Sequence, residues 1–236
     1  MHKEQIGDCT LYEGDCRDIL PTLGRVDAVV TDPPYGIGFS KYESHKDDVD
    51  EYEEMMREVI RMATDLGPHT QAYWQGMTNA DKWHKWFPNG FRIFAACKGF
   101  VQIRPVAVQY SWDPVIFWTN RKAKASATSP KDWSIQLLAP FGANRPRVDH
   151  PCPRPLEQCQ YVVCAMSADN EIVADPFMGS GTTGVACATS GRKFIGIECE
   201  PKYFDIACKR IEDAYKQPDL FVEPAKPPAE QLALLD

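Results

Sequence analysis

One segment constrains the fold of this 236-residue chain most: an apolar strand that runs into a glycine-rich turn, a helix and a second strand. The pattern predicts strands at Glu171–Asp175 and Lys193–Glu198, with a helix at Thr182–Ser190 between them. Glu198 follows Gly179 by nineteen positions, the spacing at which an acidic residue accepts hydrogen bonds from ribose hydroxyls. The segment therefore predicts a nucleoside-binding βαβ unit.

A second signal is the tetrad Asp32-Pro33-Pro34-Tyr35, which follows the apolar run Val26–Thr31. Two consecutive prolines cannot continue a strand or enter a helix interior, so the tetrad is a stiff turn just outside a buried strand. It holds a carboxylate, a backbone carbonyl and an aromatic ring at fixed mutual distances. We expect a pocket there for a flat molecule that carries an amino group.

Strands and helices alternate along the chain, which predicts a doubly wound, mostly parallel α/β sheet. Ligands of such sheets bind beyond the C-terminal ends of the strands, so both turns should face one crevice. The remaining predicted strands are Cys9–Glu13, Val26–Thr31, Gln71–Gln75, Phe91–Ala96 and the apolar run Pro114–Thr119, and the remaining helices are Asp48–Leu66, Asn79–Phe87, Pro155–Ser167 and Pro201–Lys216.

Charge is unevenly distributed along the chain, whose formal net charge is −7. The segment from Arg92 to Arg147 contains nine Lys and Arg but two acidic residues, and several tryptophans lie among them. A basic segment in an acidic protein suits a polyanion held on one face, although a solvated surface loop has the same composition.

Cysteine usage and hydropathy indicate a cytoplasmic protein. The nine cysteines are expected to be free thiols, because the N-terminal residues lack the apolar segment of a secretory signal. No stretch is apolar and long enough to span a membrane, so no membrane partner is expected. His150, Cys152, Cys159 and Cys164 lack the spacing of a zinc site, and we predict no metal.

We divide the chain into four segments. Residues 1–119 carry the tetrad, and residues 150–216 carry the glycine-rich turn. Residues 120–149 form a candidate recognition insert, because a connection beyond about 15 residues is usually functional or disordered. Residues 217–236 are expected to be a flexible C-terminal tail.

Together these motifs resemble the AdoMet-dependent DNA amino-methyltransferases, in the class whose Asp-Pro-Pro-Tyr motif precedes Phe-x-Gly-x-Gly. The resemblance implies a circularly permuted, seven-stranded class I methyltransferase sheet, in which the strands before Asp32 and Phe177 are neighbours. It covers most of the chain and rests on Gly14–Cys16, Thr31–Gly36, His150–Leu156, Asp175–Gly184 and Gly196–Glu198.

The resemblance also implies the reaction: a methyl group passes from S-adenosyl-L-methionine (AdoMet) to the exocyclic amino group of a flipped base in double-stranded DNA. It implies a bacterial or bacteriophage protein of a restriction-modification type. Asp32, Pro33, Pro34 and Tyr35 would be catalytic. The cofactor-binding residues would be Asp15, Cys16, Asp32, Arg154, Phe177, Gly179, Ser180, Gly181, Thr182 and Glu198.

Within that set, the resemblance assigns Glu198 to the ribose, Asp15 and Cys16 to the adenine, and Arg154 to the amino-acid end of the cofactor. The segment His150–Pro155 departs from the more frequent His-Pro-Thr-Gln-Lys-Pro, and Arg in place of Lys keeps the charge but changes the geometry. The candidate DNA-binding residues are Phe39, Arg121, Lys122, Lys124, Lys131, Arg145 and Arg147.

Several alternatives stay open on the sequence. The resemblance favours adenine N6, because Asp at the head of the tetrad is commoner among the adenine enzymes of this family, but cytosine N4 presents a similar amino group. The glycine spacing also fits an NAD-binding fold, yet too little chain follows it to complete one. A further alternative is a catalytically idle protein that binds DNA or AdoMet as the partner of another methyltransferase. A homodimer is plausible, and Gln217–Phe221 and Gln231–Leu235 resemble peptides that bind the bacterial sliding clamp.

Overall fold

The computed structural model describes residues 2–36, 49–97, 111–122, 133–135 and 154–216. These residues build one mixed sheet with helices on both faces, which confirms the predicted α/β class. The strands in these ranges are β1 His2–Ile6, β2 Cys9–Glu13, β3 Ala28–Thr31, β4 Thr70–Trp74, β5 Arg92–Cys97, β6 Trp112–Thr119, β7 Trp133–Ile135, β8 Ile172–Asp175 and β9 Lys193–Glu198.

The strand order of the described sheet is β1-β2-β9-β8-β3-β4-β6-β5-β7. Five neighbouring pairs are parallel, whereas β1–β2, β4–β6 and β5–β6 are antiparallel. The seven strands from β2 to β5 correspond to the expected sheet, and β1 and β7 extend its two edges. The sequence did not predict β1, because its residues are mostly polar and exposed.

Strands β3 and β8 are parallel neighbours, although they are far apart in sequence. Ala28 lies opposite Val173, and Val29 lies opposite Ala174. The chain winds from β8 towards β9 on one side and from β3 towards β4 on the other. The permuted arrangement is therefore confirmed, and the winding reverses between the strands that precede the two turns.

Apolar cores on both faces of the sheet explain why the central strands are almost continuously apolar. On one face, α4 (Leu156–Met166), α5 (Thr182–Ala188) and α6 (Pro201–Lys216) pack over a core that includes buried Phe194. On the other face, α1 (Cys16–Ile19), α2 (Val49–Asp65) and α3 (Trp83–Trp86) pack over a core that includes buried Tyr73.

The predicted helix Asn79–Phe87 is shorter in the structure. A 3₁₀ turn at Met77–Asn79 precedes the single helical turn of α3, and the extended Phe87 ends it before Pro88. The other predicted elements agree with the structure to within about two residues at each end. Within the described ranges, no helix combines the length and apolar character needed to cross a membrane.

Gly181 is required where the glycine-rich turn enters α5. Its φ is +79°, and a Cβ there would lie 2.8 Å from the Cβ of Ala207 and 3.0 Å from its Cα on α6. We expect Gly181→Ala to lower the free energy of unfolding by about 2–4 kcal/mol, because it combines left-handed backbone strain with an overpacked contact. Urea unfolding monitored by circular dichroism measures the loss.

Gly191→Ala is the matched control for this prediction. Gly191 has a φ of +70°, but nothing lies within 4 Å of a Cβ built there. Gly191→Ala should therefore lower the free energy of unfolding only through the backbone strain, by about 1–2 kcal/mol. Equal losses in the two variants would show that the contact with Ala207 does not constrain the turn.

Candidate active site

A buried hydrogen bond joins the two signature turns. Thr31 is the last residue of β3, and its Oγ1 donates to Oδ1 of Asp175, the last residue of β8, at 2.5 Å. The backbone N–H of Phe177 donates to the same oxygen at 3.0 Å. The tetrad and the glycine-rich turn therefore begin side by side at the end of the sheet where β3 and β8 have their C-termini. We call this end of the sheet the active edge.

Asp175 is a buried carboxyl group at this junction. Burial raises its pKa to about 6, although hydrogen bonds from Thr31, Thr183 and the Phe177 N–H lower it, and the charge of Asp32 raises it. Because the folded-state pKa lies above the ordinary value of 3.8, ionised Asp175 destabilises the fold. Its favourable contribution is complete below pH 4 and is lost as the pH rises through about 6.

Asp175→Asn tests this pH dependence. The amide oxygen can still accept from Thr31 and Phe177, but the group no longer ionises. Relative to the unchanged protein, the variant should gain stability as the pH rises from 4 to 7, by about 3 kcal/mol in total. Chemical unfolding of both proteins across that range measures the difference. A difference that stays constant with pH would contradict the assignment.

Arg154, which precedes α4, binds the tetrad directly. Its Nε donates to Oδ2 of Asp32 at 2.6 Å, and its Nη2 donates to Oδ1 at 3.0 Å. Nη2 also contacts the hydroxyl of Tyr35, which in turn donates to Oδ1 of Asp32 at 2.6 Å. Nη1 donates to Oδ2 of Asp113 at 2.6 Å. Asp32 is thus held by a fork-shaped ion pair and a tyrosine hydroxyl.

Burial alone would lower the pKa of Arg154, but Asp32, Tyr35 and Asp113 together raise it above its usual range. Burial also raises the pKa of Tyr35 well above its usual value, against the opposing effect of Arg154. At neutral pH the site therefore contains a permanent guanidinium cation and a neutral tyrosine hydroxyl.

The end of β4 and the residues that follow it pack against Arg154 and Tyr35. The guanidinium carbon of Arg154 lies 5.8 Å from the ring centre of Trp74 and 6.0 Å from that of Tyr35. Nδ2 of Asn79 donates to the carbonyl of Tyr35 at 2.9 Å. A Cβ at Gly76 would lie 3.4 Å from the Tyr35 ring, an ordinary van der Waals distance, so the ring packs beside this stretch of backbone.

Glu198, at the end of β9, holds the glycine-rich turn. Its Oε2 accepts from the N–H of Gly179 at 2.9 Å, and its Oε1 accepts from the N–H of Glu200 at 2.8 Å. Burial raises the pKa of this carboxyl group, and these backbone donors partly offset the effect. The carboxylate is half-buried beside the turn.

Asp15 and Cys16 lie next to Glu198, because the N–H of Gly14 donates to the Glu198 carbonyl at 2.9 Å. Asp15 caps the N-terminus of α1 and pairs with Arg17 at 2.6 Å. Cys16 is buried, and burial raises the pKa of its thiol, so it is a neutral apolar contact. The structure thus brings these two residues together with Gly179 and Glu198.

Ser180 and Thr182 are engaged elsewhere. Nη1 of Arg210 on α6 donates to Oγ of Ser180 at 2.9 Å and to Oγ1 of Thr182 at 3.2 Å. Ser180 is buried, and its carbonyl also accepts from Arg210 at 2.5 Å. Both hydroxyls therefore fasten the turn to α6, and their contact with the cofactor stays a prediction.

Arg121 and Lys122 lie away from the active edge. Strand β6 is antiparallel to β4, so Thr119 pairs with Thr70 at the start of β4, opposite the end of the sheet where Asp32 lies. Arg121 forms an ion pair with Glu171, which precedes β8. The structure therefore does not bring these two cations, which were predicted to bind DNA, to the active edge. The sequence did not reveal their position, because nothing local shows that β6 reverses direction.

The other candidate DNA contacts lie outside the described ranges: Phe39, Lys124, Lys131, Arg145 and Arg147. The C-terminal tail, residues 217–236, also lies outside them. The two clamp-like peptides and the homodimer stay predictions.

Two residues of the site were not expected from the sequence. The sequence shows Asp113 only as one of the two acidic residues in the basic segment, because nothing local indicates that the start of β6 reaches the tetrad. Gln75 is 1% exposed, and neither atom of its amide has a hydrogen-bond partner in the described part of the chain. An unpaired buried amide costs about 1–3 kcal/mol.

Comparison with known proteins identifies the family. The model of a family described as DNA methylase, covering N6 and N4 methyltransferases, matches residues 26–209. The type II methyltransferase M.HinfI of Haemophilus influenzae is 26% identical over 292 aligned positions, which span all of this chain and 79% of that protein. The chain therefore belongs to the N6/N4 DNA methyltransferases.

Solved structures agree with this result. A complex of M1.HpyAVI with SAM superposes with a TM-score of 0.67 at 25% identity, over 86% of this chain and 98% of that one. The cytosine-N4-specific PvuII DNA methyltransferase shares the fold, with a TM-score of 0.65 at 17% identity over 90% and 93% of the two chains. The chain is a class I, AdoMet-dependent DNA amino-methyltransferase.

Proposed function

We propose that this enzyme methylates N6 of adenine in double-stranded DNA and that Asp32 and the carbonyl of Pro33 hold the target amino group. The observation that carries these roles is the bond from Thr31 to Asp175, since it places Asp32 beside the glycine-rich turn. Asp at the head of the tetrad supports adenine, because this residue is commoner there among the adenine enzymes that the chain resembles.

The residues around the glycine-rich turn fit AdoMet. When bound, AdoMet would supply a sulfonium methyl group and would leave as a neutral thioether. The amino nitrogen that gains the methyl group would lose one proton, which the Asp32 carboxylate can pass to solvent. Glu198 would bind the ribose, and Asp15 and Cys16 would lie at the adenine. Phe177, Gly179 and Gly181 would pack against the methionine portion. Arg154 would reach the cofactor's carboxylate with the second N–H of Nη1, while its Nε and Nη2 stay on Asp32 and Tyr35.

The amino nitrogen of a base is a weak nucleophile, because its lone pair is delocalised into the ring. Two acceptors, the Asp32 carboxylate and the Pro33 carbonyl, would hold its hydrogens and favour a more tetrahedral nitrogen. Alignment of the reacting atoms can contribute up to about 7–11 kcal/mol to the barrier reduction. Pro34 keeps the acceptors in place, since its ring fixes the backbone.

The target base has to leave the duplex, which costs a few kcal/mol. Tyr35 is suited to stack on it, because Asn79 holds its backbone carbonyl and Arg154 and Asp32 hold its hydroxyl. A preformed stacking surface reduces the side-chain entropy that binding would otherwise cost.

Two measurements test the proposed activity: the rate of methyl transfer by Asp32→Ala and the identity of the methylated base. Purified protein should transfer labelled methyl from AdoMet to DNA, and hydrolysis of that DNA should release N6-methyladenine. The variant should lose at least about 100-fold in rate, because both positioning and polarisation are lost. Release of N4-methylcytosine would overturn the adenine assignment. Cofactor binding without transfer to any DNA would favour the idle-partner alternative.

We also propose that DNA contacts come from segments anchored at the active edge. Residues 136–153 leave β7 at Ile135, which pairs with Cys97 at this edge, and they return at Arg154. This connection carries Arg145 and Arg147, whereas Arg121 and Lys122 begin a connection at the opposite edge. Phe39, Lys124 and Lys131 stay candidates.

A pair of double variants tests this contrast. Arg145→Ala with Arg147→Ala should weaken DNA binding and reduce the salt dependence by about 0.9 in log–log slope for each phosphate that the protein no longer neutralises. Arg121→Ala with Lys122→Ala removes the same charge and should change neither. Fluorescence anisotropy at several salt concentrations measures both. Equal losses from the two double variants would contradict the proposal.

A further inference from the structure

The guanidinium of Arg154 lies between carboxylates from two distant parts of the chain. Its Nε and Nη2 edge faces Asp32 and Tyr35, whereas Nη1 faces Asp113 at 2.6 Å. The group is largely buried, with 18% of the Arg154 side chain exposed, 29% of Asp32 and 23% of Asp113. Each contact is therefore shielded enough from water to contribute to orientation.

Asp113 reaches this position because β6 runs against its neighbours. It pairs in register with Ala96, and the next residue but one, Val115, pairs with Trp74 at the end of β4. The backbone N–H of Gln75 donates to the carbonyl of Pro114 at 2.9 Å, which fixes the start of β6 against the end of β4. Asp113 is thus a rigid, strand-borne anchor for a side chain that precedes α4.

A second anchor matters because of the shape of the guanidinium. The group is planar and donates in fixed directions, so holding one nitrogen sets where the others point. With Asp113 on Nη1, the opposite edge is directed at both oxygens of Asp32. Asp113 also shares the positive charge of Arg154, so Asp32 is less fully neutralised and remains a stronger acceptor.

We propose that Asp113 is a positioning residue for methyl transfer, which orients the Asp32 carboxylate towards the target amino group through Arg154. The inference rests on the proposed role of Asp32 in binding that group. Asp113 touches neither DNA nor cofactor in this scheme. Its removal should therefore slow the chemical step while leaving both binding steps intact.

The first test uses the ligand-free protein and needs no activity. Hydrogen exchange of the Arg154 Nε–H, followed by NMR, reports the hydrogen bond to Asp32. We expect Asp113→Asn to speed this exchange by about fivefold or more, and Asp113→Glu to restore part of the protection. Asp65→Asn is the matched control, because Asp65 is an exposed carboxylate at the far end of α2. Unchanged exchange in Asp113→Asn would overturn the proposal.

The second test is a double-mutant cycle on single-turnover methylation. Asp113→Asn should lower the rate about tenfold, with dissociation constants for AdoMet and DNA unchanged within about twofold. In the Arg154→Gln background it should have little further effect, because the route to Asp32 is already broken. An equal loss in both backgrounds, or a loss of binding instead of rate, would overturn the proposal.

The two tests separate this inference from the proposed function. If neither the unchanged protein nor any variant methylates DNA, the role of Asp32 fails, but the exchange measurement still decides whether Asp113 orders Arg154. Unfolding midpoints of all variants identify any that fail to fold, and Asp113→Glu then carries the comparison.

Discussion

The bond between Thr31 and Asp175 is the contact on which the site depends. It joins two strands that are adjacent in the sheet, although the two bonded residues lie 144 positions apart in the chain. From this point one backbone continues into the stiff tetrad and the other into the glycine-rich turn. In the proposed reaction, a target base and a methyl donor would meet because both turns start from the same buried pair.

Much of the fold could be predicted from local sequence. Apolar runs that end in Asp-Pro-Pro-Tyr or in a glycine-rich turn place β3 and β8, and Pro201 marks the start of α6. The spacing between Gly179 and Glu198 predicted that this acid lies at the turn, where it accepts a hydrogen bond from the Gly179 N–H. These features depend on backbone stiffness and on short-range periodicity, which a single sequence records directly.

Long-range pairing was the part that local sequence could not supply. The antiparallel insertion of β6 carries Arg121 to the far edge and Asp113 to the active edge, so residues of one basic segment take opposite positions. Arg210, on a different helix, donates hydrogen bonds to the hydroxyls of Ser180 and Thr182. In each case a partner from another element decides the role of a side chain, and no local pattern encodes that partner.

The most direct test of this account is a crystal structure of the enzyme with target DNA and an unreactive AdoMet analogue. The account predicts a flipped base stacked on Tyr35, with its amino nitrogen about 3 Å from the Asp32 carboxylate and from the Pro33 carbonyl, and the analogue against Gly179 and Glu198. A target base bound away from Asp32, or an analogue bound away from the glycine-rich turn, would contradict it.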